Sequence, residues 1–126
     1  MHTSGKINAE HTGHTRRNMV KLEIHVPATH LEQVCDALRR AGVGAFGHYD
    51  STLSYSLVRG RWRPLPGAKP YDGEVGQLCE RDEYKIEACC PVEIIDKAMV
   101  EIKAAHPYEV PSICVIQLLM TSMQDV

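Results

Sequence analysis

Residues 19–44, MVKLEIHVPATHLEQVCDALRRAGVG, contain a strand pattern followed directly by a helix pattern. Apolar and polar residues alternate in the first half, which is typical of a β-strand with one buried face. In the second half, apolar residues recur at the spacing of one helix face. The apolar positions are Val20, Leu22, Ile24 and Val26 in the strand and Leu31, Val34, Cys35 and Leu38 in the helix. We expect Pro27 to end the strand, and Thr29 and Glu32 to form a capping box that begins the helix.

The same two patterns recur along the rest of the chain. They predict a second strand over residues 51–59, a third over 79–90, a second helix after Pro91, and a last strand over 113–119. Residues 60–78 carry four Gly and three Pro and are predicted to be one long loop. The order β-α-β-β-α-β predicts an α+β, ferredoxin-like fold, with a four-stranded antiparallel sheet and two helices on one face.

Composition limits the class of protein. The 126 residues fit one domain, which we place at 19–120, between a disordered leader at 1–18 and a tail at 121–126. A net charge of −2 without a large basic cluster argues against nucleic acid as a partner. No apolar run is long enough to span a membrane, and no secretory signal is recognised. Five cysteines without CxxC spacing indicate reduced thiols and a cytoplasmic location.

The predicted sheet has one face that the helices leave open. Charged residues of the inner strands fall on that face, among them Lys21, Glu23 and Glu87, and the last strand is apolar on both sides. An apolar strand in a half-open sheet needs a further cover, so we expect self-association.

Three segments resemble a known family: KLEIHVPATHLEQVCDALRRAGVGAFGHYD, RPLPGAKPYDGEVGQL and HPYEVP. Together they resemble the YqfO-type domain of the NGG-interacting-factor family, which has a PII-like and CutA-like fold. The resemblance implies a homo-oligomer, with a trimer favoured over a dimer. In larger members this domain is inserted between two halves that supply a dinuclear metal site. We expect a stand-alone domain here, because those halves and any HxxxD or HxxxH set are missing from this sequence.

One end of the predicted sheet gathers the first βα loop, the 60–78 loop and the turn at residues 106–109. Its candidate ligand-binding residues are Arg61, Arg63, Tyr71, His106, Tyr108 and Glu109. Such a set can bind a small anion through arginine, or a cation through histidine and carboxylate. We prefer a structural interpretation for the HPYE turn, in which His106 caps the second helix and Tyr108 and Glu109 hold the loop by hydrogen bonds. Trp62 is either an anchor under the loop or an interface residue.

A second set of polar residues is predicted at the opposite end. His48 and Asp50 lie there with Cys89 and Cys90, a set of side chains that could bind zinc or copper. Cys90 is in phase with the core-facing residues of its strand, so we prefer a buried, inert thiol there, and we expect Cys35 and Cys114 to pack on apolar faces. His48 with Asp50, and His106 with Glu109, are the candidate ligands of a divalent metal ion, the one cofactor that the sequence suggests.

Three hypotheses for the function remain at this point. We prefer a non-enzymatic, cytoplasmic, oligomeric binding or regulatory module whose loop cleft binds a small ligand, a metal ion or a protein partner. The alternative is a divalent-metal-binding protein of the CutA type, concerned with metal tolerance. The third is an enzyme whose active site forms at a subunit interface. No residue is assigned a catalytic role, since no nucleophile–base arrangement can be argued from spacing.

Overall fold

The computed structural model describes residues 18–124, so residues 1–17 of the leader predicted at 1–18 and the last two residues of the predicted tail lie outside it. The elements are β1 (Met19–Val26), α1 (Leu31–Ala41), β2 (Ser54–Trp62), β3 (Cys79–Pro91), α2 (Ile95–Ala105) and β4 (Ile113–Gln117). A 3₁₀ turn precedes each helix, at Ala28–His30 and Val92–Ile94. All strand pairs are antiparallel, in the order β2-β3-β1-β4. The predicted ferredoxin-like α+β fold is confirmed.

The core lies between the sheet and the two helices. The apolar residues of β1 point into it, and Leu22 and Ile24 are fully buried opposite Ala88 and Ile86 of β3. The helices close the core from above with fully buried side chains, among them Leu38 of α1. The alternation and the helical spacing read from the sequence therefore correspond to one continuous apolar layer.

The capping box predicted at the start of α1 is wrong. The 3₁₀ turn Ala28–His30 leads into the helix, and no side chain caps its first turn. The hydroxyl of Thr29 bonds His30 Nδ1 at 2.9 Å and the hydroxyl of Tyr71 at 3.3 Å. The Thr29 side chain therefore links the segment between β1 and α1 to the distant loop that carries Tyr71, and it does not cap the helix. The end of α1 agrees with the sequence, since Gly42 adopts the left-handed conformation with φ 90°.

Three other expectations differ in detail. β2 runs on through Gly60, Arg61 and Trp62, which were predicted to belong to a loop, because the 13-residue β3 offers a partner along that whole length. The loop that joins the two strands, here the β2–β3 loop, is therefore residues 63–78. β4 ends at Gln117, two residues early. Cys114 is exposed and not packed, since it lies on the open face of the sheet.

The open face carries the charged residues that the sequence placed there. Lys21 lies between Glu23, at 3.2 Å, and Glu87, and Lys85 contacts Glu23 at 3.5 Å. Glu87 raises the pKa of Lys21, chiefly through a hydrogen bond. Along β4, Ile116 remains 42% exposed beside this network. Among the described residues, no helix is both long and apolar enough to cross a membrane.

Candidate functional site

A cavity of about 530 Å³ opens beside the far end of β2, under the β2–β3 loop and the turn that follows α2. Three arginines and three aromatic side chains contribute to its wall, together with three carboxylates. These residues are Arg59, Arg61, Trp62, Arg63, Tyr71, Asp72, Glu83, Tyr108 and Glu109. Five of the six ligand-binding candidates from the sequence are in this set, and His106 is the one that is not.

Hydrogen bonds between distant segments fix the roof of the cavity. The backbone N–H of Lys69 donates to Glu109 Oε1 at 2.8 Å, which ties the β2–β3 loop to the turn after α2. The indole N–H of the half-buried Trp62 donates to the carbonyl of Asp72 at 3.2 Å. The Asp72 carboxylate in turn accepts a bond from Arg81 at 2.9 Å. Trp62 thus anchors the loop within this subunit, the first of its two predicted alternatives.

His106 is buried behind the cavity and holds two backbone segments together. Its Nε2 donates to the carbonyl of His25 at 2.6 Å, and its Nδ1 accepts the backbone N–H of Tyr108 at 3.2 Å. Both ring nitrogens are thereby used, in the neutral form of the ring. Burial lowers the pKa of His106, which is consistent with that form. His106 is the C-cap residue of α2, as predicted, because its backbone N–H donates to the Ile102 carbonyl at 2.9 Å. Its side chain joins the turn after α2 to the end of β1.

Glu83 and three residues around it form the inner wall of the cavity. The hydroxyl of Tyr108 donates to Glu83 Oε2 at 2.6 Å, and the Glu83 side chain is only 5% exposed. Burial, followed by the bond to Glu83, raises the pKa of Tyr108, so that the hydroxyl keeps its proton at neutral pH. His25 Nδ1 lies 3.8 Å from Glu83 Oε1, and Gly60 packs against the same oxygen.

Sequence reasoning missed Glu83 and its neighbours as site residues. Glu83 looks like an ordinary polar position of β3, and its contact to Tyr108 spans 25 residues. The one local signal is Gly60, a glycine inside a strand, which often marks the close approach of another group. A Cβ at Gly60 would lie 2.0 Å from Glu83 Oε1.

The three arginines of the wall differ in their partners. Arg59 Nη1 is 2.9 Å from Asp82, and Arg61 Nη2 is 3.7 Å from Glu80, both across the β2–β3 ladder. Within residues 18–124, Arg63 has no carboxylate within 4.0 Å. Arg63 therefore brings a positive charge to the cavity that the described protein does not neutralise directly.

The candidate metal ligands are not brought together with further ligands. His48 and Asp50 are exposed, and Asp50 accepts a bond from the hydroxyl of Ser51 at 3.1 Å. The described residues hold no group of three or more His, Cys, Asp or Glu side chains suited to a metal ion. Cys90 is fully buried as expected, and burial raises its pKa to about 11. The pairs His48–Asp50 and His106–Glu109 stay predictions.

Comparison with known proteins agrees with the geometry of the fold. A Bacillus subtilis protein named "GTP cyclohydrolase 1 type 2 homolog" is 40% identical over 90 residues, which are 71% of this chain and 24% of that protein. The structure of a Bacillus cereus protein related to NIF3 superposes with a TM-score of 0.74 at 31% identity, over 86% of this chain and 28% of that one. This chain is a homologue of one segment of the NIF3-related family. It spans about a quarter of the length of these relatives.

A second structural neighbour of this NIF3-related chain is similar to it in fold only. The periplasmic divalent cation tolerance protein CutA from Archaeoglobus fulgidus has a TM-score of 0.61 at 16% identity, and the match covers 82% of this chain and 86% of that one. The CutA-like architecture expected from the sequence is therefore present. No protein-family model matches the chain.

Proposed function

We propose that this chain is a non-enzymatic binding or regulatory module that takes up a small anionic molecule in the cavity beside β2. The observation that carries the proposal is the cavity itself, with Arg61 and Arg63 beside a wall of aromatic rings. Its volume of about 530 Å³ is within the usual range of sites for small molecules. Guanidinium groups match phosphate and carboxylate groups in geometry and charge.

The aromatic wall indicates the shape of the ligand. The ring centroids of Trp62 and Tyr108 are 5.7 Å apart, and those of Tyr71 and Tyr108 are 6.0 Å apart. Three adjoining rings offer a broad apolar surface that suits a planar group. A molecule with a planar group and an anionic group satisfies both parts of the wall. GTP meets both requirements and appears in the name of the Bacillus relative, so it is the natural first probe.

The test is isothermal titration calorimetry of the full chain with GTP and, separately, with inorganic triphosphate. We expect Arg63→Ala to weaken the binding of both by about 10- to 100-fold, because a hydrogen bond to a charged group contributes about 1.5–3 kcal/mol. Arg39→Ala is the matched control, since Arg39 pairs with Asp36 on its own helix and does not line the cavity. Failure of both probes to bind would overturn the proposal, and so would equal effects of the two substitutions.

The proposed module is a cytoplasmic homo-oligomer, with a trimer favoured over a dimer. Support comes from β4, an edge strand on which Val115 and Ile116 are 38% and 42% exposed, and from Leu119 just beyond it, which is 83% exposed. Apolar residues grouped at a sheet edge are a usual feature of subunit interfaces. Light scattering coupled to size exclusion tests this part, and a mass of one chain at all concentrations would contradict it.

A further inference from the structure

We propose that Glu83 forms a second subsite of the cavity, which accepts a hydrogen bond from an N–H group of the ligand. The inference rests on the proposed binding function and extends it. Arg63 and its neighbours would take the anionic part of the ligand, and Glu83 would take a hydrogen-bond donor on the planar part. The ligand class is then a planar, nitrogen-bearing ring that also carries a phosphate or carboxylate, as in a purine nucleotide.

The two oxygens of the Glu83 carboxylate have different surroundings. Oε2 accepts the Tyr108 hydroxyl at 2.6 Å. Oε1 faces His25 Nδ1 at 3.8 Å, which is too long for a hydrogen bond. Within residues 18–124, no other donor bonds to Oε1. One oxygen of a buried carboxylate in the cavity wall is thus left without a hydrogen bond from the described protein.

A buried carboxylate oxygen without a hydrogen bond costs free energy, since buried carboxylates normally accept several hydrogen bonds. The arginines of the wall do not relieve it. Arg59 and Arg61 pair with the exposed carboxylates Asp82 and Glu80, and Arg63 has no carboxylate within 4.0 Å among residues 18–124. Because Gly60 has no Cβ, Oε1 can lie close against β2 at this position. A ligand N–H that reaches this oxygen would complete its hydrogen bonding, and the gain would contribute directly to affinity.

The tyrosine orients the carboxylate for this role. Because the raised pKa of Tyr108 keeps its hydroxyl protonated, the hydroxyl always donates to Oε2 and leaves Oε1 as the acceptor without a hydrogen bond. A ligand that presents only acceptors at this position would meet a negative charge without a compensating bond. The subsite therefore selects for donors and against acceptors.

The experiment compares two probes that differ in their N–H groups. GTP carries N–H donors on its base, whereas purine riboside 5′-triphosphate has the same ring system, ribose and triphosphate but no N–H on the base. Calorimetry of the wild-type chain is expected to give about tenfold or greater preference for GTP. Glu83→Gln is expected to remove most of this preference, because the Gln oxygen can still accept the Tyr108 hydroxyl while its amide group presents donors to the cavity.

Two further variants make the comparison specific. Glu87→Gln is the matched control, since Glu87 lies on the same strand and the same face, pairs with Lys21 and does not line the cavity. It is expected to keep the wild-type preference. Gly60→Ala, which displaces the carboxylate without changing its charge, is expected to lose the preference and serves as a second route if Glu83→Gln does not fold.

The outcomes separate the two proposals. Equal affinity of the wild-type chain for the two nucleotides would overturn the Glu83 subsite and leave the anionic site standing. A folded Glu83→Gln chain with an unchanged preference for GTP would also overturn it. Absence of binding by GTP, purine riboside triphosphate and inorganic triphosphate alike would overturn the proposed function, and the subsite with it.

Discussion

Substitution of Gly60 by Ala tests the inner wall of the cavity most sharply. The added Cβ would lie 2.0 Å from Glu83 Oε1 and 2.7 Å from Glu83 Cδ, far inside contact distance. Gly60 lies within a regular strand and its φ is not positive, so the backbone itself accepts alanine. The Glu83 carboxylate therefore has to move, and we expect this movement to break its 2.6 Å bond with the Tyr108 hydroxyl.

The size of the effect follows from two opposing contributions. Loss of a hydrogen bond to a charged, buried group costs about 1.5–3 kcal/mol. Alanine in place of glycine in a strand returns about 0.5–1 kcal/mol, because the unfolded chain loses less conformational freedom. We expect the free energy of unfolding of Gly60→Ala to fall by about 1–2 kcal/mol.

The assay is urea unfolding at one fixed protein concentration, followed by fluorescence. The chain has a single Trp, and Trp62 lies against Tyr108 in the cavity wall, so its emission reports on this region. Tyr108→Phe removes the same hydrogen bond by another route. Because both changes delete one bond, the double variant is expected to cost clearly less than the sum of the single variants.

The reasoning would be refuted by a Gly60→Ala chain that is as stable as the wild type or more stable. That result would mean that the carboxylate moves without loss and that the Tyr108–Glu83 bond contributes little. Strictly additive effects of Gly60→Ala and Tyr108→Phe would also contradict it, since they would show that the two residues act through different contacts.

Three further predictions concern other parts of the molecule. His106→Ala is expected to lower the free energy of unfolding, measured by urea unfolding, by about 2–4 kcal/mol. The substitution removes two hydrogen bonds and leaves the His25 carbonyl and the Tyr108 N–H without partners. A loss below about 1 kcal/mol would contradict the structural role of His106. Burial lowers the pKa of His106, so the unfolded chain binds more protons than the folded chain below about pH 6.5. The free energy of unfolding should therefore fall as the pH falls in that range, and it should fall less steeply with pH in His106→Ala. Equal slopes of the free energy of unfolding against pH in the two chains would refute this. Ile116→Glu is expected to reduce the mass seen by light scattering, whereas Val100→Glu, at a 68% exposed position on α2, should not; the same mass for both would remove β4 from the interface.

Much of the fold could be predicted because its core follows short-range patterns. The alternation around Leu22 and Ile24 corresponds to a strand with one buried face, and Gly42 ends α1 where the sequence indicates. The short-range sequence patterns gave wrong predictions where a contact with a residue distant in sequence determines the local structure. Thr29 bonds Tyr71 instead of capping the helix, and Gly60 continues β2 because β3 extends alongside it.

The candidate site was predictable in its outline and not in its inner wall. Topology brings the β2–β3 loop to the turn after α2, and Lys69 and Glu109 do bond there. The bond from His106 Nε2 to the His25 carbonyl spans 81 residues, and the bond between Tyr108 and the buried Glu83 spans 25. Such contacts leave no periodic signal in the sequence, so only the folded arrangement reveals them.

Native mass spectrometry of the full chain, with and without added GTP, tests the central claim most directly, because it reports subunit number and bound ligand together. We predict an oligomer, with three chains favoured, that gains the mass of GTP at up to one molecule per chain and loses most of this gain in Arg63→Ala. A single chain that never acquires the mass of GTP, under conditions that keep the protein folded, would contradict both the binding module and its assembly.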